Sequence, residues 1–310
     1  MIQTIKNIRN KIRAFYRQAK IERHYQQKIG RDVLADETAN ELIYQKVVVG
    51  EPCFITRFGS SELATIIFFR NNRLREKSDP WNRHHQYILC DVSGFFPFTQ
   101  EAMDQFSEYY LSFIKNIDVL GVWNVGEDEV ADLFNPSVQL INLPAIEPYY
   151  FSDPWSRALA GKKVLVIHPF AKSIQQQYVK RKQLFADKHV LPDFELKVIQ
   201  AVQTVADNTE GFKDWFDALD FMCEQVSKED FDVAIIGAGA YGMPLGNFIK
   251  MKMSKCAIHM GGATQIFFGI KGKRWHDFPK VKALFNEHWI NPSDDERPIG
   301  AEKVEGGTYW

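Results

Sequence analysis

Apolar and polar positions change their period several times along this chain, and the changes mark its elements. At the start, Ile2, Ile5, Ile8, Ile12, Phe15 or Tyr16, and Ala19 recur at steps of three and four, which places them on one stripe of a helix. From residue 50 onward, short apolar runs alternate with longer helical stretches. The runs at 53–57, 118–123, 138–142, 163–168, 196–201, 231–236 and 255–260 read as strands. Helical stretches open at Glu62 and after Gly126, fill 173–187 and 211–228, and run from Gly242 to about 253. Strands that are apolar throughout and separated by helices belong to a parallel sheet covered on both faces. The pattern therefore predicts an α/β fold, a doubly wound and mostly parallel sheet preceded by an N-terminal amphipathic helix. Residues 1–31 form that helix and 32–290 the α/β domain. The turn-rich stretch 143–162 divides the domain into halves 32–150 and 151–290. Residues 291–310, rich in Pro, Gly and acids, read as an extended tail ending in Tyr309-Trp310.

Composition narrows this picture without changing it. Hydrophobic residues make up 45% and charged residues 25% of the 310, which suits a packed enzyme-sized domain and not a disordered chain. Cys53, Cys90, Cys223 and Cys256 show no paired spacing, so the expected setting is a reducing, cytoplasmic one without a zinc site. No secretory leader and no membrane-spanning run is expected. Charge is distributed unevenly. Residues 1–31 hold nine basic side chains against Glu22 alone, a balance of +8, so the rest carries −9 to reach the net −1. A basic amphipathic helix fits an anionic membrane surface, or packs its Ile stripe on the domain or on a second subunit in a homodimer. The acidic remainder argues against nucleic acid.

Three places concentrate chemistry. Gly237-Ala238-Gly239-Ala240-Tyr241-Gly242 follows a strand and precedes a helix, the context in which G-x-G-x-x-G presents backbone N–H groups to a phosphate. The strand at 255–260 ends in His259-Met260-Gly261-Gly262, with no acid to take ribose hydroxyls, so a nucleotide other than a dinucleotide is favoured. A purely structural glycine turn is the alternative. The second place is Arg57-Phe58-Gly59-Ser60-Ser61-Glu62. There Arg57 ends a strand and Glu62 opens a helix, and the carboxylate can ligate a cation, act as a base, or favour the helix dipole. The third is 259–275, where Lys271, Lys273 and Arg274 arrive beside Trp275 after two glycine turns. That suits diphosphate neutralisation and ring stacking, or else a solvated basic loop. His168 stands at another strand end and reads as structural, and no role falls to His84-His85.

Arg57-Phe58-Gly59-Ser60-Ser61-Glu62 resembles the R-F-G-D-G-E element of GT-D-type bacterial glycosyltransferases. The late strand, glycine turn, helix, strand and second glycine turn are similar to the nucleotide-binding half of that group, over about residues 50–275. The resemblance implies a Rossmann-like, GT-D-like fold and transfer of a sugar from a UDP-sugar to a hydroxyl of a growing bacterial surface glycan, such as a capsule or O-antigen. It also implies a polyprenyl-diphosphate-linked acceptor met at the inner face of the cytoplasmic membrane. In that group a D-x-E pair holds Mn²⁺ or Mg²⁺. By position the glutamate is Glu62, while Ser60 stands where the aspartate is expected, which weakens the metal site. Glu62 and Arg57 are then the catalytic candidates, with Asp91, Glu127 and Asp128 as weaker bases. Gly59, Ser60, Gly237, Gly239, Tyr241, Gly242, Gly261, Gly262, Lys273 and Arg274 are the expected donor-binding positions. A non-catalytic, degenerate transferase scaffold and an NAD(P)-dependent oxidoreductase are the competing readings.

Overall fold

The computed structural model describes residues 23, 25–27, 30–73, 79–206, 208–304 and 306–310. The expected N-terminal helix thus lies almost wholly outside the described residues. Eight strands form one all-parallel sheet: β1 (Val33–Leu34), β2 (Cys53–Thr56), β3 (Val119–Val122), β4 (Gln139–Asn142), β5 (Lys163–His168), β6 (Glu195–Gln200), β7 (Val233–Ile236) and β8 (Cys256–His259). Their order across the sheet is β1-β4-β3-β2-β8-β7-β5-β6. β1–β4 make one half, β5–β8 the other, and β2 meets β8 between them. The α/β, doubly wound, parallel arrangement expected from the pattern is present.

Successive side chains of a strand point to opposite faces, so each apolar run feeds two layers. Phe54, Leu120, Leu165, Ile167, Ala234 and Ile236 lie in one layer, while Cys53, Ile55, Val164, Val166, Val233 and Ile235 lie in the other. The first layer is covered by helices α2 (Ser60–Phe68), α3 (Gln100–Phe113), α5 (Trp215–Ser227) and α6 (Gly242–Met253). The second is covered by α1 (Asp36–Val49), α4 (Ala171–Val179), the one-turn helix Ala263–Phe267 and turns from 145–159. α3 and α5 start where the capping rule places them: Thr99 Oγ1 accepts the Ala102 N–H, and Asp214 Oδ1 accepts the Asp217 N–H.

Several boundaries differ from the pattern. The helix expected over 173–187 ends at Val179, where the cap residue Lys180 leaves the helical region, and a separate turn, Arg181–Leu184, follows. The stretch after Gly126 is a 3₁₀ segment, Glu127–Leu133. β1, α1 and α3 stand outside the expected elements, although Met103, Phe106, Tyr110 and Phe113 of α3 form an apolar stripe at helical spacing. Residues 291–304 and 306–310 are not extended: they turn at Asp294–Glu296 and Ala301–Lys303 and fold back on the sheet's C-terminal edge. Glu296, Ala301 and Val304 are buried there, so apolar and charge-satisfying contacts outweigh the Pro/Gly content that suggested a free tail. All four cysteines are free thiols. Among the described residues no helix is long and apolar enough to cross a membrane.

Candidate functional site

Strand register brings the motif loops together. β2 aligns Ile55 with Ile258 of β8, β8 aligns His259 with Ile236 of β7, and β7 aligns Ile236 with Ile167 of β5. Arg57, Met260, Gly237 and His168 therefore leave the sheet on one line at its C-terminal edge. The elements after β2 and β7 cover one face, and those after β5 and β8 cover the other. The loops splay apart and open a crevice, as at the switch points where α/β proteins bind ligands. The crevice, about 200 Å³, is lined by Arg57, Gly59, Ser60, Glu62, Ser93, Trp123, His168, Gly237, Gly239, Gly261, Gly262, Arg274, Tyr309 and Trp310 among others.

Glu62 is 6% exposed, in the first turn of α2. Its carboxyl folds back over Gly59, so closely that a Cβ there would lie 1.7 Å from Oε2. Burial raises its pKa, while its own backbone N–H, the Arg57 charge and the Ser93 hydroxyl pull it back down. Arg57 lies over the Trp123 ring, 4.6 Å from its centroid. Burial disfavours the guanidinium charge and the Glu62 carboxylate favours it. Trp123 is fixed in turn: its Nε1–H donates to Phe58 O at 2.8 Å, and its backbone N–H donates to Glu127 Oε2 at 3.2 Å. Glu127 is fully buried, receives the Tyr25 hydroxyl at 3.2 Å, and is pushed up to about 8 by desolvation. It braces Trp123 and does not line the crevice.

The glycine turn does something other than the motif suggests. A Cβ on Gly237 would lie 2.7 Å from Gly261 O, His168 Cδ2 and Thr264 Oγ1, and one on Gly242 would lie 2.3 Å from His259 Nε2. These two glycines let the chain pack against itself, and Gly242 is not part of the crevice wall. Gly239, exposed and at φ +51°, faces open space apart from Ser93 O. Tyr241 reaches the wall, but its ring is stacked on Trp215 (4.9 Å, 9°) and its hydroxyl lies 2.7 Å from Thr204 Oγ1, so it belongs to the core.

Arg274 lines the crevice, and its Nη1–H donates to the Tyr309 hydroxyl at 2.9 Å. Lys273 does not line it: the exposed ammonium donates outward to Gly306 O at 3.4 Å, because successive residues of the 3₁₀ turn Lys273–Asp277 point in different directions. Trp275 is buried and stands behind Gly262. Asp91 and Asp128 also lie outside the wall, which leaves Glu62 as its one carboxylate among the described residues. Both wall histidines are neutral near pH 7, with desolvation pushing each down to about 3. His168 Nδ1 accepts the Phe170 N–H at 2.9 Å, and His259 Nδ1 lies 3.0 Å from Thr56 Oγ1. The run pattern carried no signal for Ser93 or Thr204, each supplied by a loop, and Trp123 closed the expected run at 118–123 without being marked for the site. Tyr309-Trp310 was visible only as a terminal aromatic pair.

The donor set does not fit a divalent cation. Mn²⁺ and Mg²⁺ want several oxygen ligands. The wall offers one side-chain carboxylate, folded on Gly59 beside a guanidinium, and its other side-chain oxygens are neutral hydroxyls and amides such as those of Ser60, Ser93, Gln203 and Gln265. No group of three His, Cys, Asp or Glu is placed to hold a metal among the described residues. What the crevice does combine is two guanidinium groups, one carboxyl of raised pKa, the amino end of α2, and one glycine, Gly239, open to solvent. That combination suits a doubly charged anion flanked by a group that loses a proton. Compared with family models, curated proteins and solved structures, the chain matches none of them.

Proposed function

We propose that this protein is a glycosyltransferase that takes a sugar from a nucleotide-sugar donor, UDP-linked by the resemblance of its Arg57–Glu62 element, and places it on a hydroxyl acceptor. The observation that supports this reading most is the convergence of Arg57, Glu62, Gly239 and Arg274 on one crevice at the ends of β2, β7 and β8. Arg57 and Arg274 take the diphosphate, replacing the cation that the donor set does not accommodate. The acceptor oxygen forms a bond to the anomeric carbon as the bond from that carbon to the diphosphate breaks. The electron pair leaves with the nucleoside diphosphate, and the acceptor proton passes to the Glu62 carboxylate. Negative charge grows on the diphosphate, so fixed cations there lower the barrier more than they bind the ground state. A carboxyl whose pKa is raised by burial is a better base near neutral pH than an exposed one. The acceptor belongs to a bacterial surface glycan carried at a membrane face, and residues 1–31 supply the contact with that face.

A thermal-shift panel of nucleoside diphosphates and their sugar conjugates tests the reading. UDP or a UDP-sugar raises the melting temperature, and Gly239→Val removes the shift. Sugar transfer or slow donor hydrolysis falls by about 10²–10⁴-fold in Glu62→Gln. Absence of a shift with every nucleotide at millimolar concentration overturns the proposal.

A further inference from the structure

The crevice is smaller than the roughly 300–1,000 Å³ of ligand pockets in general. Part of its wall is contributed by the last residues of the chain. Val304, Tyr309 and Trp310 close one side, and they belong to a segment with three mechanically distinct parts.

The first part is an anchor. Glu296, 5% exposed, seats its carboxylate on the amino end of α4: Oε1 accepts the N–H of Lys172 at 2.7 Å and of Ser173 at 3.1 Å, and Oε2 accepts the Ser173 hydroxyl. A buried carboxylate with this many donors is costly to remove. The second part is a pair of glycines, Gly306 and Gly307, at φ +74° and +73°, where the backbone turns with little resistance. The third is Thr308-Tyr309-Trp310, which is half-exposed. Thr308 O accepts the Arg274 N–H at 2.8 Å, Tyr309 O accepts from Gln265 Nε2 at 3.3 Å, Trp310 O accepts the Lys273 N–H at 3.4 Å, Trp310 Nε1–H donates to Glu296 O at 3.3 Å, and the Trp310 ring lies 6.2 Å from that of Phe170. The receiving surface is shaped for this segment. A Cβ on Gly272 would lie 2.4 Å from Tyr309 O, and one on Gly262 3.1 Å from the Tyr309 ring.

We infer that Gly306–Trp310 is a hinged cover of the crevice: it swings about Gly306-Gly307 to admit a nucleoside diphosphate, then closes so that Tyr309 and Trp310 form an aromatic roof over the ligand. The ligand class rests on the proposed function, whereas the opening does not. Tyr309 links the two states, because its hydroxyl holds the Arg274 guanidinium that the incoming diphosphate also requires. The anchor at Glu296 keeps the cover attached while it is open. Base and aromatic stacking is tolerant of sequence and strong enough for Trp310→Ala to speed UDP dissociation by about tenfold.

Amide hydrogen exchange on the full chain, with and without saturating UDP, tests this, with Trp310→Ala and a form lacking residues 306–310 as comparisons. Without ligand, Thr308–Trp310 and the Arg274 N–H exchange at least about 100-fold faster than β7, and UDP slows them about tenfold or more. Protection equal to that of β7 in the free protein overturns the cover. If UDP raises the melting temperature but leaves exchange at 308–310 unchanged, the cover is wrong and the proposed function stands. If no nucleotide binds either the full or the shortened form, the proposed function is wrong, and the ligand-free exchange rates alone decide the cover.

Discussion

Gly242→Ala tests the packing of the glycine turn most directly. The added Cβ would sit 2.3 Å from His259 Nε2, 2.6 Å from Cδ2 and 3.2 Å from Cε1. Ordinary contact needs about a further ångström, in the range where dispersion between carbon atoms is attractive. The imidazole cannot simply rotate away, because it is 3% exposed and Nδ1 is held 3.0 Å from Thr56 Oγ1. Overpacking of this kind costs about 1–3 kcal/mol, and breaking the Thr56 contact adds about 1 kcal/mol. The gain in helix propensity from Ala over Gly is at most about 1 kcal/mol, and less at the first residue of α6. The net expectation is about 2 kcal/mol of destabilisation. His259→Ala alone leaves a cavity and costs about 2–4 kcal/mol. In the double variant the methyl group occupies space the ring vacates, so the loss falls about 2 kcal/mol short of the sum. Urea denaturation at pH 7.5, read at constant m-value, gives all three numbers. A Gly242→Ala protein within about 0.5 kcal/mol of the parent, or additive single effects, refutes the argument that this glycine exists for His259.

Three further outcomes follow from the same geometry. Gly59→Ala drives the Glu62 carboxyl out of its place, since the Cβ would lie 1.7 Å from Oε2. The side chain swings more easily than the backbone, so turnover drops at least about tenfold while the melting temperature moves little, and an unchanged transfer or hydrolysis rate would contradict the placement. His259 is held near pKa 3 when folded against an ordinary 6.5, so the unfolded chain takes up its proton first and stability is lost as pH falls below 6.5. Between pH 6.5 and 5 the parent should lose about 2 kcal/mol more than His259→Gln in urea titrations, and parallel profiles would show the imidazole is not buried neutral. Glu127 has the opposite sign: its carboxyl, raised from 4.5 to about 8, keeps its proton in the folded state, so its contribution is lost as pH rises through that window. Relative to Glu127→Gln, the parent weakens by on the order of 4 kcal/mol from pH 5 to 8 in the same assay, and an equal loss in both would sink the assignment.

How far the linear chain reveals this protein can be judged element by element. The runs containing β2, β3, β5, β7 and β8 were legible because a strand buried on both faces needs unbroken apolar residues, and that need is local. Arg57, Glu62 and Gly239 were legible because each stands at a strand–helix junction at the C-terminal ends of parallel strands, where such folds open their ligand crevice. α1 was not, because its sequence separates apolar from polar residues weakly. Ser93 and Thr204 were not, because loops that reach the crevice carry no period of their own, and Trp123, at the end of a legible run, was not marked as a crevice residue because the pattern does not say what a strand end faces. The glycines of the turn show the limit best. Their spacing is a property of the chain, but whether a missing Cβ makes room for a phosphate or for His259 depends on which strand lies next door. The β2–β8 and β7–β5 pairings, the return of Glu296 to α4 and the closing of Tyr309 over Arg274 join residues far apart along the chain. Such contacts are selected by the burial of two sheet faces at once and by the neutralisation of a buried charge. Both are sums over the whole molecule, and no window of sequence contains them.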